Sequence, residues 1–378
     1  MGMTNRIQEM LIEQARQRRM PLTVNVELLP ICNLNCKMCY IRTSREQVEK
    51  LGGLKSVDEW ILLAEQMKKA GVLFLLLTGG EVFLYPEFRK LYIELYKMGF
   101  IITINTNATL INEETVDWLK CYPPKCISIS LYGASDETYE VLCGAKGVFS
   151  KVDHAIQLLV QNRIRVEIKT MVTPLNVQDI PFCFRYASIR GLHFEPALYA
   201  FPPTRKLKKE EQVRFSAEET TYYQFACNRM MSKQESFDSE IVKHLQKYED
   251  TRHNAGSDVY GFTCGACNSL CWITWQGKMT PCAMLNEPYT NPFECGFLAA
   301  WEELKQKCDV ILMSPQCSHC DKREVCTVCP AANYAETGSF EMASPFHCKM
   351  TELTLDKMKQ YVNEVGIDAS FIRKEGEE

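Results

Sequence analysis

The chain has 378 residues, 46% hydrophobic and 24% charged, with a formal net charge of −4. That length is ample for a hydrophobic core and suggests two domains, or one large domain with an appendage. Charges of both signs are interspersed, which gives no support to a nucleic-acid or anionic-membrane partner, and no run of about 18 apolar residues exists to span a bilayer.

Nineteen cysteines are many. The first twenty residues are polar and helical in pattern, with Arg6, Gln8, Glu9, Glu13, Gln14 and Arg16 to Arg19, and carry no secretory signal. A cytoplasmic location is therefore expected, where cysteine clusters read as metal sites rather than disulfides. Cys121, Cys126, Cys183, Cys227, Cys295 and Cys308 stand alone and are expected to be plain core residues.

From Val24 to Ala197 strand and helix signals alternate. Short apolar strands are expected at Val24–Leu29, Val72–Leu77, Ile101–Asn105, Cys126–Leu131, Arg165–Met171 and Leu192–Pro196. Amphipathic helices are expected between them at Val57–Ala70, Glu87–Met98, Glu113–Lys120, Phe149–Gln161 and Val177–Ile189. Repeated β-α units imply an α/β fold with a parallel sheet, open or closed into a barrel, and chemistry at the C-terminal ends of its strands. A charged run, Arg205 to Glu211, reads as a solvated helix face, and a polar helical stretch follows to about Asp250. From Thr263 to Cys348 the chain is rich in cysteine and loop, and a last amphipathic helix runs from Thr351 to about Val365. The expected domains are 1–204, a helical linker 205–262, a cysteine-rich domain 263–350, and a terminal helix and tail 351–378.

Cys32, Cys36 and Cys39 form C-x3-C-x2-C directly after the first strand. A [4Fe–4S] cube takes a ligand on each of four irons, so three local thiolates leave one iron open, as open positions mark reactive metal centres. The bland alternative is a zinc-binding or buried cysteine loop. Gly79-Gly80-Glu81 follow the second strand. The glycines would let backbone approach a ligand, and Glu81 would offer a carboxylate to a cation; a simple turn is the alternative. Asn107 follows the third strand and Ser130 closes the fourth, so these elements should converge on one rim.

On these motifs the chain resembles the radical S-adenosylmethionine (SAM) superfamily over roughly Thr23 to Ala200. The resemblance implies a partial (β/α)6, TIM-like barrel. It also implies a [4Fe–4S] cluster on Cys32, Cys36 and Cys39 whose open iron is chelated by SAM. Gly79, Gly80 and Glu81 match the motif that binds the SAM amino group, and Asn107 and Ser130 stand where relatives contact the ribose or methionine moiety. Such enzymes transfer an electron into the sulfonium, and the resulting 5′-deoxyadenosyl radical removes hydrogen from an unactivated C–H bond. Met38 replaces the aromatic residue often found before the third cysteine, and Tyr40 follows it.

The later cysteines are Cys264, Cys267 and Cys271, then G-x4-C from Gly277 to Cys282, then C-x2-C-x5-C-x2-C from Cys317 through Cys320 and Cys326 to Cys329, and finally Cys348. Gln276-Gly277 reads as the turn of a hairpin. Paired C-x2-C knuckles also suit tetrahedral zinc. This region resembles a SPASM domain, a small cysteine-rich module that carries two auxiliary [4Fe–4S] clusters in relatives. Carried over residue by residue, Cys264, Cys282 and Cys329 would ligate the first, with Cys267 favoured over Cys271 as its fourth ligand. Cys317, Cys320, Cys326 and Cys348 would ligate the second.

Relatives with both modules mostly modify peptides or proteins. The resemblance implies three [4Fe–4S] clusters, SAM, a peptide or protein substrate and a low-potential donor such as ferredoxin or flavodoxin. The modification would be a crosslink, a thioether or an epimerisation. Ala283 stands where sulfatase-maturing relatives carry an acid, which counts against that activity. About twenty residues precede the first strand, too few for the winged-helix module that holds leader peptides in many relatives. Cys143, in Leu142 to Gly147, is expected in the loop after the fourth strand, on the rim, where a thiol would donate hydrogen to a substrate radical; a small residue in a glycine-rich turn is the alternative. His193 and Glu195 alternate on the sixth strand and would line the barrel. The alternatives are oxidation of a small carbohydrate or alcohol, and a non-catalytic zinc or Fe–S scaffold.

Overall fold

A computed structural model describes residues 3–204, 213–252 and 261–367. The charged run from Arg205 to Glu211 and the tail beyond residue 367 lie outside the described residues. The chain divides into two compact units. The first comprises Met1–Ala197, Pro203–Val213 and Phe262–Val310, and the second Leu198–Pro202, Arg214–Gly261 and Ile311–Glu378.

The first unit is built on one eight-stranded sheet. Its strands are β1 (Thr23–Glu27), β2 (Phe74–Thr78), β3 (Ile101–Thr106), β4 (Cys126–Ser130), β5 (Val166–Met171), β6 (His193–Ala197), β7 (Leu270–Ile273) and β8 (Met279–Thr280). The order is β6-β5-β4-β3-β2-β1-β7-β8. Strands β1 to β6 run parallel, each to the next. Burial decides which sequences do this: β2 (Phe-Leu-Leu-Leu-Thr) and β4 (Cys-Ile-Ser-Ile-Ser) are buried almost throughout, as strands covered on both faces must be. The register aligns the strand ends, with Glu27 opposite Thr78 and Ser130 opposite Lys169. The loops after the strands therefore open at one edge.

The crossover helices follow the expected pattern, at Val57–Lys69, Phe88–Lys97, Glu113–Cys121, Val148–Gln161 and Ile180–Ile189. Ser56 opens the first with a capping box closed by Glu59. Two features differ from expectation. Residues 136–143 form a helix, Asp136–Cys143, capped by Ser135 and ended by left-handed Gly144, so Cys143 closes a helix instead of lying in the loop expected over Leu142 to Gly147. The hairpin at Gln276-Gly277 is present, with Gly277 at φ +84° and its N–H on Thr274 O at 2.8 Å. It is not a separate cysteine-rich fold, because β7 pairs in parallel with β1 from Thr23↔Leu270 to Val26↔Ile273. Residues 262–310 thus complete the first sheet's unit, unlike the expected domain 263–350.

The second unit is helical. Helices Ala217–Met231 and Gln234–Thr251 fall where a linker was expected, yet they build a core with helix Pro345–Val365. Phe237, Ile241, Leu245 and Tyr248 recur at helical spacing and pack with Val325, Leu355 and Val362. Glu336, its side chain 6% exposed, accepts both ends of the Arg214 guanidinium, at 2.6 and 3.0 Å, and the Tyr199 hydroxyl at 2.9 Å. The last helix starts earlier than expected, at Pro345, and so takes in Cys348.

Candidate active site

One cavity of about 230 Å³ opens at the C-terminal ends of β2 to β5. It is lined by Cys32, Cys36 and Cys39 from the loop after β1, Gly79 and Gly80 after β2, Asn107 after β3, and Ser130 at the end of β4. The expected convergence on one rim is what the parallel register produces. Tyr132 and Met171 line the same cavity and were missed by the sequence reading. The alternation of period two was the available signal for Tyr132, which shares parity with Ser130.

Glycine at 79 and 80 serves the loop as well as any ligand. A Cβ on Gly80 would collide with the Ile31 carbonyl, 2.6 Å from its carbon, and one on Gly79 would lie 2.5 Å from Leu29 O. The close approach carries two hydrogen bonds, Gly80 N–H to Leu29 O at 2.7 Å and Glu81 N–H to Ile31 O at 3.0 Å. These lock the start of the cysteine loop to the end of β2.

Glu81 is fully buried and does not line the cavity. Its carboxylate accepts from Thr106 Oγ1 at 2.7 Å, Asn107 N at 2.8 Å and Phe83 N at 3.1 Å. Burial pushes its carboxyl above the usual carboxylate range, against those three donors. The expected offer of a carboxylate to a ligand cation is therefore replaced by an inward brace between β2 and β3. Asn107 is braced as well: its amide donates to Asn33 Oδ1 at 3.0 Å, and its Oδ1 accepts from Thr109.

The three cysteines are half-buried. Leu34 N–H points at Cys32 Sγ at 3.4 Å and Arg42 N–H at Cys39 Sγ at 3.3 Å. Burial pushes the Cys32 thiol up to about 12, a cost that a bound cation would reverse. Cys143 is fully buried and is not among the residues lining the cavity. It sits behind the loop, not on the rim. His193 and Glu195 are exposed on β6, with Glu195 3.2 Å from Lys169 Nζ.

In the second unit Cys317, Cys320, Cys326 and Cys348 line one cavity of about 530 Å³. Thr351 Oγ1 lies 3.1 Å from Cys326 Sγ, and the buried Asn333 amide 3.8 Å from Cys317 Sγ. Among the described residues no three Cys, His, Asp or Glu side chains are placed to hold a single metal ion. A four-iron cube puts each ligand on a different iron and asks for a wider spread. The all-thiol donor set of both cavities fits such a cube. Cys264 and Cys282 belong to the first unit and Cys329 to the second. Cys267 is joined to Cys308 in a disulfide, so Cys308 does not stand alone, and Cys267 is not presented to a cluster here. Helix Phe297–Asp309 packs against β8 and carries Cys308 to that position. Cys271 is fully buried on β7 opposite Val24.

Residues 26–187 match the Radical SAM superfamily. An AdoMet-dependent heme synthase from Methanosarcina barkeri is 24% identical over 349 residues, covering 86% of this chain and 96% of that protein. The antilisterial bacteriocin subtilosin biosynthesis protein AlbA of Bacillus subtilis is 32% identical over 162 residues, 43% of this chain and 35% of that protein. Among solved structures, Streptococcus suis SuiB bound to the precursor peptide SuiA superposes with a TM-score of 0.62 at 17% identity, covering 87% of this chain and 76% of SuiB.

Proposed function

We propose that this chain, whose residues 26–187 match the Radical SAM superfamily, is a radical SAM enzyme that modifies a residue of a peptide or protein, by crosslink, thioether or epimerisation. Cys32, Cys36 and Cys39 would hold the SAM-binding [4Fe–4S] cluster. Gly79, Gly80, Asn107, Ser130 and Tyr132 would form the walls against which SAM rests. Cys317, Cys320, Cys326 and Cys348 would hold one auxiliary cluster, and Cys264 and Cys282 of the first unit would supply ligands to another. When bound, cluster and SAM together supply a 5′-deoxyadenosyl radical that abstracts hydrogen.

The chain's own residues then have distinct tasks. The Gly79-Gly80 contact with Leu29 and Ile31 sets the cysteine loop against the strand ends. Buried Leu34, Met38 and Ile41 on that loop give the cavity an apolar wall. Glu81 and Asn107 hold its polar wall rigid, so the bound molecule meets a preorganised surface.

The observation that carries the reading is the single cavity uniting three cysteines with the ends of four parallel strands. The peptide substrate is supported by the shared fold with SuiB, which was captured with a precursor peptide, and by the likeness to AlbA over the domain. A second reading, chemistry on a heme precursor, is favoured by the nearly end-to-end match to a heme synthase.

Anaerobically reconstituted protein should carry about twelve irons, as three cubes require, and should release 5′-deoxyadenosine from SAM under reduction. Zinc without iron, or no SAM cleavage, would sink the proposal in favour of a scaffold. Expression in cells lacking their own heme synthase separates the two substrates. Restored heme supports the second reading. A mass change in a co-expressed small peptide encoded beside the gene, without heme, supports the first.

A further inference from the structure

Two side chains reach the cysteine sulfurs of the second unit, and they come from two different helices. Thr351, on helix Pro345–Val365, is buried and lines the cavity of Cys317, Cys320, Cys326 and Cys348. Its Oγ1 donates to Cys326 Sγ at 3.1 Å. Asn333, on helix Pro330–Thr337, is fully buried, and its amide nitrogen donates to Cys317 Sγ at 3.8 Å, the longer and weaker of the two contacts. The other end of that amide fixes which way it points, because Asn333 Oδ1 accepts the Ser344 N–H at 2.9 Å. Ser344 in turn caps the helix that carries Thr351 and Cys348, its Oγ accepting the His347 N–H at 3.2 Å. The two donors are thus held in one buried frame. A hydroxyl or amide is costly to bury unpaired, and here each meets a cysteine sulfur.

We infer that Thr351 and Asn333 are positioning and tuning residues, donating hydrogen bonds to Cys326 Sγ and Cys317 Sγ that raise the reduction potential of the cluster held by Cys317, Cys320, Cys326 and Cys348. The inference rests on the cluster proposed above for these cysteines. A cluster-bound cysteine has lost its proton, so each sulfur only accepts, and the hydrogen comes from the threonine hydroxyl or the asparagine amide. A donor to a cluster thiolate favours the more electron-rich state, and hydrogen bonds to cluster sulfurs are among the determinants of potential. Burial strengthens both bonds electrostatically relative to water. The cluster is thereby made a better electron acceptor.

The test uses the full chain, reconstituted anaerobically as wild type, Thr351→Val, Thr351→Ser, Asn333→Leu and Cys320→Ala. The signal read is the electron-paramagnetic-resonance signal that Cys320→Ala removes, and the quantities are its midpoint potential and the iron content. Thr351→Val, which keeps the shape and loses the hydroxyl, should keep its iron and shift the midpoint to more negative potential. Thr351→Ser, whose hydroxyl still donates, should recover most of that shift. Asn333→Leu should shift the midpoint in the same direction by less, as its longer contact implies. Equal midpoints for wild type and Thr351→Val, or equal shifts for Thr351→Val and Thr351→Ser, would overturn the inference. Loss of iron from both threonine variants would do so too, assigning Thr351 to holding the cavity together. If Cys320→Ala removed neither iron nor signal, the cluster on these cysteines would itself be overturned, an outcome told apart from an unmoved midpoint.

Discussion

Glu81 Oε2 accepts the backbone N–H of Asn107 at 2.8 Å, so the residue ending the turn after β2 holds down the residue leaving β3. With Thr106 Oγ1 and Phe83 N also donating to it, Glu81 is a buried hub for three donors. Removing the acceptor leaves all three unpaired. Glu81→Ala is expected to destabilise the protein by on the order of 3 kcal/mol, since each bond to a charged group contributes about 1.5–3 and losses overlap. Urea unfolding of the protein without cofactors reads this. A residue that acted only on a bound ligand would leave that midpoint unchanged.

Gly80→Ala tests the approach of the cysteine loop to β2. The new methyl would meet the Ile31 carbonyl, and backbone cannot rotate aside as a side chain can. The loop should shift, and iron content should fall by about one cube of four. Overpacking of this kind costs about 1–3 kcal/mol, so the fold should survive. Unchanged iron would show that the loop tolerates the displacement.

The cavity in the second unit makes a separate claim. Cys320→Ala is expected to remove about four irons, while the SAM-perturbed signal persists, because Cys320 shares its cavity with Cys317, Cys326 and Cys348 and not with the three N-terminal cysteines. Loss of both signals would argue against two independent clusters.

His244, on helix Gln234–Thr251, supplies a pH dependence. Burial, with help from nearby Lys247, holds its imidazole below the ordinary value of 6.5. The folded state then resists a proton that the unfolded chain accepts. Its contribution to stability is intact above pH 6.5 and is lost as pH falls toward the lowered folded value. The melting temperature should drop between pH 7.5 and 5.5, and His244→Gln should flatten part of that drop.

Much of this was legible because the governing patterns are local. Apolar runs alternating with amphipathic stretches located β1 to β6, and the parallel register then placed Cys32, Gly79, Asn107 and Ser130 around one cavity. What was not legible depends on distant partners. Nothing in Leu270 to Ile273 says that it will pair with Thr23 to Val26. Nothing near Cys267 points to Cys308. The inward turn of Glu81 follows from Thr106 and the Asn107 backbone, donors supplied by another strand. The helix ending at Cys143 is a different case. Ser135 followed by Asp136 and Glu137 is a helix-start signal that the sequence carries and the expected elements leave out.

The pairing of β7 with β1 bears on how the molecule can be cut. β1 leads directly into the loop bearing Cys32, and one flank of it is occupied by a strand from more than two hundred residues later in the chain. A fragment ending at Thr204 would retain every motif of the N-terminal half but leave β1 as an edge strand, its amides and carbonyls open to pairing with another copy. Such fragments should associate and precipitate. The N-terminal half is thus not an autonomous module, and the cysteine-rich half cannot be exchanged without also exchanging part of the sheet.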